Sequence, residues 1–225
     1  MTKLHALNSL NVVVAVPSMS TWHAEFAMCL IGMIGYFNNT RVKNAHVQQL
    51  RVVNSRGSIL PNLRLEGLKA AKAHDASHIL WIDSDHEFPV DLLNRLLARE
   101  KDVVAINHVT KTFPACPTGR SFSKDNSRGE VVFTDPASTG LEKVWRIGTG
   151  TMLMSKRAYS QVPHEAFGMI YEREADSFRG EDWGLCAALE EVGCPIYVDH
   201  DLSLECSHIG NFRYSHEFVG QVVKD

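Results

Sequence analysis

Apolar runs of strand length alternate with apolar stripes of helical spacing along the first half of the chain. "NVVVAVPS" at 11–18 is a continuous β-branched run ended by Pro17, which predicts a strand buried on both faces. From about Ser20 to Phe37, Trp22, Phe26, Cys29, Leu30 and Met33 recur at helical spacing, and "FAMCLIGMIGYF" within that stretch reads as a buried helix. "HVQQLRVVN" at 46–54 predicts a second strand. "PNLRLEGLKAAKAH" opens with Pro61 at a favourable first-turn position and carries Leu65, Leu68 and Lys72 on a helix of good formers. "HILWID" is a third strand, "PVDLLNRLLARE" a helix with Leu93, Leu96 and Leu97 as its buried stripe, and "DVVAINHV" at 102–109 a further strand.

Strands alternating with helices predict an α/β fold: a single domain with an open, mostly parallel central sheet flanked by helices. In such sheets ligands bind beyond the carboxyl ends of the strands. The alternation weakens over 110–144, a stretch rich in Pro, Gly, Ser and charge that reads as a long loop with a hairpin around "RGEVVF". Order returns with "VWRIGTGTMLMSKRAY" at 144–159, a strand interrupted by Gly148 and Gly150. "EDWGLCAALEEVG" at 181–193 is a helix with acidic residues in its first turn and Gly193 as its stop. "CPIYVDHDL" is a last strand, and the tail "ECSHIGNFRYSHEF" places His208 in a loop.

With 44% hydrophobic and 22% charged residues, the chain has the material for one sizeable core. Its five cysteines, Cys29, Cys116, Cys186, Cys194 and Cys206, are odd in number, widely spaced and without a CxxC pair. That argues against a disulfide framework and a thiolate zinc site, and for a reduced, cytoplasmic setting. The start "MTKLHALNSL" lacks a secretory signal, and the most apolar segment, about a dozen residues, is too short to cross a bilayer. The net charge of −3 gives no overall reason to expect nucleic acid. Residues 1–80, however, hold eight Lys/Arg against three Asp/Glu, which leaves room for a basic face there, although solvated surface charge explains it as simply.

Four short motifs carry chemistry. In "WIDSD" a buried strand ends at Asp83 and Asp85, a rigid pair of hard oxygen ligands suited to Mg²⁺ or Mn²⁺ bridging a diphosphate; exposed corner aspartates are the plainer alternative. In "RGED" at 179–182, Glu181 and Asp182 complement the helix dipole, and one of them in addition has the chemistry of a general base. "IGTG" lets backbone approach a ligand closely, or marks a bulge. His208 reads as a structural histidine or a metal ligand.

Taken in order, a DxD after the third strand, a glycine-rich strand, an acidic pair at a helix start and a late histidine resemble the GT-A fold of nucleotide-sugar glycosyltransferases, over nearly the whole chain. The resemblance implies a nucleotide-binding half at 1–109 and an acceptor and catalytic half at 110–225. "VVVAVPS" would be the first nucleotide-binding strand, bringing Pro17 and Ser18 to the donor, with Arg56 and Arg64 as further donor contacts. Asp83 would contact the donor's ribose or sugar beside Ser84 and share in the metal site, with Asp85 and His208 as ligands of Mn²⁺ or Mg²⁺. Gly148, Thr149 and Gly150 would form the glycine loop, and Asp182 or Glu181 would be the base. A UDP-sugar is the favoured donor. The compact form looks most like small bacteriophage enzymes, some of which decorate hydroxymethylated pyrimidines in DNA, with Lys111, Arg120, Lys124 and Arg128 available for phosphate contacts. A saccharide or protein acceptor, a metal-dependent phosphohydrolase built on the same residues, and a non-catalytic nucleotide-binding module are the alternatives.

Overall fold

A computed structural model describes residues 9–42, 45, 47–125, 128–173, 176–210 and 212–220. The strand-length runs, joined by Leu141–Val144 from the end of the stretch that reads as a loop, form one seven-stranded sheet: β1 (Ser9–Ser18), β2 (Val47–Arg56), β3 (His78–Ile82), β4 (Val103–Ala105), β5 (Leu141–Val144), β6 (Thr151–Ser155) and β7 (Ile196–Asp199). Their spatial order is β2-β1-β3-β6-β4-β7-β5. β2, β1, β3, β4 and β7 run one way, and β6 and β5 run against them, so the mostly parallel single sheet that the alternation predicts is present.

Four main helices cover it: α1 (Ala24–Asn39), α2 (Leu60–Ala73), α3 (Leu92–Ala98) and α4 (Glu181–Glu191). Successive strand residues point to opposite faces, and here both faces are buried. Val12, Val14 and Val16 pack with Phe26, Leu30 and Met33 of α1 and with Leu92, Leu93 and Leu96 of α3. Val13 and Ala15 pack on the other face with Leu68 and Ala71 of α2 and Leu185 and Leu189 of α4. That two-sided burial is why the run at 11–18 is apolar throughout instead of alternating. Gly67 sets how closely α2 can lie: a Cβ there would stand 2.6 Å from the Trp81 ring and 2.8 Å from Ala15.

Several elements depart from the sequence reading. α1 is amphipathic, with Met28 67% and Ile31 61% exposed, because only its Phe26, Leu30, Met33 and Phe37 stripe reaches the sheet. The inner face of α2 is Leu63, Arg64, Gly67, Leu68 and Ala71, and Leu65 is only partly covered. In α3 Leu92 joins Leu93 and Leu96 as buried, while Leu97 is half-covered. The stretch at 144–159 is the end of β5, a turn through the glycines, β6, and a short helix Lys156–Tyr159. β7 is not the last strand, since His86–Glu87, Ser207–Ile209 and Arg213–Tyr214 form a small antiparallel sheet. The hairpin in the long loop pairs Arg120–Ser121 with Glu130–Val131. Buried Asn107 ties that loop to the sheet, donating to the Val132 carbonyl (2.8 Å) and accepting from the Gly119 N–H (2.8 Å). His46 and residues 1–8 lie outside the described residues. Among the described residues no helix is long and apolar enough to cross a membrane.

Candidate active site

The antiparallel insertion of β6 beside β3 brings two distant motifs together. Ile82 pairs with Thr151, and one step further on the Asp83 N–H donates to the Gly150 carbonyl at 2.7 Å, so the DSD turn and the glycine turn share one edge. The chain then folds back: the His86 N–H donates to the Asp83 carbonyl (3.2 Å), and the Ile209 N–H donates to the Asp85 carbonyl (2.7 Å). His86 and His208 become directly paired residues of adjacent antiparallel strands. His208 therefore sits on a strand and not in a loop; the partner strand is too short to be read from hydropathy.

Three imidazoles meet here. The His86 ring lies 4.8 Å from that of His108 and 4.7 Å from that of His208, centroid to centroid. His208 Nδ1 donates to the Val109 carbonyl at 2.9 Å, which leaves Nε2 to face Asp85 Oδ1 at 3.4 Å with no hydrogen bond to that oxygen. His86 Nδ1 bonds the Thr151 hydroxyl at 2.8 Å, and its Nε2 is buried without a partner. Asp85, His86 and His208 each offer one ligand atom, and the three atoms lie within 4.8 Å of one another. Two lone pairs held 3.4 Å apart need a positive charge between them, either a proton or a metal ion, and a buried imidazole nitrogen with no partner is costly unless it binds something. One carboxylate with two imidazoles fits a divalent transition metal.

Electrostatics follow from the crowding. Burial, and then the neighbouring His108 and His208, push His86 well below the ordinary histidine range. Burial and His208 take His108 down to about 3. Against the desolvation that would raise it, His208, His86 and Lys111 hold the Asp85 carboxyl well below the usual carboxylate range.

The glycines have a local reason. A Cβ on Gly150 would collide with the His86 ring and stand 2.9 Å from that of His108, and one on Gly148 would stand 2.8 Å from the His108 ring. The glycine turn thus makes room for the imidazoles, and Thr149 between them is buried.

A second network joins the acidic pair to the DSD turn. Arg64 is buried, with Nη2 2.9 Å from Asp83 Oδ1, an ion pair whose angle does not make it a hydrogen bond. Its Nε donates to Glu181 Oε1 at 3.3 Å, and the Thr149 hydroxyl donates to the same oxygen at 3.4 Å. Burial pushes the Asp83 carboxyl up, opposed by Arg64. Glu181 is thereby committed inside the protein. Asp182 is not: it is partly exposed, accepts from the Trp183 N–H (2.8 Å), and burial followed by the Glu181 charge raises it to about 6.

Other expected donor residues share the edge without joining these networks. Pro17 and Ser18 end β1, and Ser18 pairs with Arg56 at the end of β2. The Ser18 hydroxyl accepts from Asn54 at 2.7 Å, and Arg56 donates to the Ser20 carbonyl at 2.6 Å. Ser84 accepts from the His23 N–H at 3.4 Å. Of the loop cations, Lys111 is paired with Asp85, and Arg120 donates to the carbonyls of Pro117 (2.6 Å) and Gly119 (2.8 Å).

No protein-family model matches the chain, and no curated protein is similar to it. Among solved structures, the protein A197 from STIV is similar over 89% of this chain and 86% of its own, at 15% identity and a TM-score of 0.56. That likeness shows the fold. A nucleoside-diphosphate-sugar pyrophosphorylase from Vibrio cholerae RC9 is similar over 93% of this chain and all of its own, at 14% identity and a TM-score of 0.47.

His86 and His108 are the residues of the site that the sequence reading passes over. The only signal was adjacency: His86 follows the DSD directly, and His108 lies just beyond the buried strand β4.

Proposed function

We propose that this chain is a GT-A-type glycosyltransferase that moves a sugar from a nucleoside-diphosphate donor, a UDP-sugar first among them, to a hydroxyl acceptor. The observation that supports it most is the convergence at one sheet edge of two sites: the Asp85, His86 and His208 group, and an acidic helix start where Asp182 is left free while Glu181 is tied down. Asp85, His86 and His208 are the residues that would hold the metal, and the imidazole share of that set favours Mn²⁺ over Mg²⁺. A divalent ion there supplies Lewis-acid neutralisation of the diphosphate leaving group.

The protein's own groups do the rest. Asp182, poised near neutrality, accepts the proton of the acceptor hydroxyl. Arg64 and Thr149 fix Glu181, and with it the start of α4, so that Asp182 has a set position. Asp83, anchored by Arg64, faces the donor's ribose or sugar. A carboxylate base on the far face of the sugar gives inversion at the anomeric carbon. Pro17, Ser18, Ser84 and Arg56 line the nucleotide side of the same edge.

For the acceptor, a 5-hydroxymethylpyrimidine in phage DNA is one reading, supported by the excess of basic residues over 1–80. Lys111 and Arg120 turn inward, which weighs toward a saccharide or protein hydroxyl.

Calorimetric titration of UDP-glucose and related donors, with and without Mn²⁺, into wild type and Asp85→Ala tests the reading. Metal-dependent binding that disappears in the variant supports it. Donors that never bind, together with phosphodiester cleavage without any donor, would replace it with the phosphohydrolase.

A further inference from the structure

Lys111 reaches the metal-ligand group from outside it. It lies three residues beyond His108, and its ammonium donates to Asp85 Oδ2. The other oxygen, Oδ1, is the buried one that faces His208 Nε2 and has no hydrogen-bond partner. One carboxylate thus carries a lysine on one oxygen and presents the other to the metal-ligand group.

The lysine has a fixed base and a partly exposed side chain. On its backbone side, the Thr110 N–H donates to the Cys116 carbonyl (2.9 Å) and the Thr110 hydroxyl accepts from the Cys116 N–H (3.1 Å). Phe113, two residues on, stacks on Phe212 with ring centroids 4.8 Å apart. A Cβ on Gly210 would stand 3.0 Å from Lys111 Cδ, so glycine there keeps open the channel in which the stem lies. The side chain is 36% exposed, and an ammonium on a flexible four-carbon stem can change partners while its backbone stays still.

The geometry points to Lys111 as a tethered second cation of the donor site. It rests on Asp85 when no metal is bound, and turns to the donor's phosphates when a divalent ion takes the carboxylate. This rests on the metal-site reading above and assigns Lys111 to a nucleoside diphosphate instead of a DNA backbone. A dication and an ammonium on one carboxylate repel each other at a few ångströms, and the incoming diphosphate supplies the charge that draws the ammonium away.

The test uses the full chain with Mn²⁺ alone, free ion being counted by electron paramagnetic resonance, and then UDP at saturating Mn²⁺. Lys111→Met removes the competitor, so Mn²⁺ should bind up to about fivefold tighter, the scale of one partly exposed ion pair given up. UDP should then bind about tenfold more weakly. Lys111→Arg keeps the charge and should stay near wild type in both, and Lys111→Gln should repeat the Met result if that variant folds poorly. Mn²⁺ bound equally by wild type and Lys111→Met, or UDP affinity unchanged between them, overturns the lysine assignment alone. Failure of both chains to bind Mn²⁺ overturns the metal reading, and the lysine assignment with it.

Discussion

His208 stands directly across from His86 in an antiparallel pair, the two rings 4.7 Å apart and nearly perpendicular, although the residues come from different halves of the chain. Such a pair gives a metal two nitrogen ligands from separate backbone segments, each oriented by a hydrogen bond from its own Nδ1 side, His86 to Thr151 and His208 to the Val109 carbonyl. His86→Ala should therefore weaken Mn²⁺ binding as severely as His208→Ala, by at least about tenfold. Mn²⁺ titration of both variants is the check; wild-type affinity in His86→Ala would make that residue a packing group only.

Arg64 is expected to matter first for stability. Its guanidinium is the buried cation between Asp83 and Glu181, and Arg64→Met would leave both carboxylates without it. Removing one partner of a buried ion pair costs about 3–5 kcal/mol, so the midpoint of urea unfolding should fall sharply. Adding Glu181→Gln to Arg64→Met should recover part of the loss, since the two share one network. Simple addition of the two losses would show that they are not coupled.

On the proposed mechanism, Asp182 gives the transfer reaction a pH dependence. A base raised to about 6 must lose its proton to work, so the transfer rate should climb from pH 5 to 7, and Asp182→Asn should abolish transfer while donor binding persists. The stability sign runs the other way. The folded value lies above the unfolded value of about 3.9, so the native state holds the proton more tightly. That contribution is complete below about pH 4 and is lost as pH rises through about 6. At pH 8 Asp182→Asn should unfold at the same or higher urea concentration than wild type; marked destabilisation there would mean the carboxylate is a structural cap.

Gly150→Ala tests whether the glycine turn serves the imidazoles. The new methyl meets the buried His86 ring and has His108 at 2.9 Å, so the ring must shift from its Thr151 partner. Mn²⁺ affinity should drop about tenfold, with a stability cost of about 1–3 kcal/mol from overpacking. Unchanged metal binding would show that the rings can move aside freely.

Much of this architecture could be read before any coordinates. Continuous β-branched runs announced strands buried on both faces, and the abrupt end of "HILWI" at Asp83 marked the edge where the site lies. Glu181 and Asp182 were legible as a helix start, but their division of labour was not, because it depends on Arg64. A charged residue on the inner face of α2 is invisible to a hydrophobic stripe, and so the stripe is drawn through Leu65 and Lys72 instead of Arg64 and Gly67, although Arg64 is expected as a donor contact. His86 and His108 went unread for a different reason: a lone histidine gains meaning only from its spatial neighbours, and those of His86 come from pairing with Ser207–Ile209.

β6 occupies the space between β3 and β4, although the chain makes it after both. A polypeptide leaving the ribosome therefore completes β2, β1 and β3 and then waits, with one edge of β3 unpaired, until Thr151–Ser155 emerges to close it. During that interval the backbone groups of a strand containing Ile79, Leu80 and Trp81 are open to any other extended chain. The first 109 residues made alone would keep that open edge for good, and would be obtained as aggregate instead of as an isolated folded fragment.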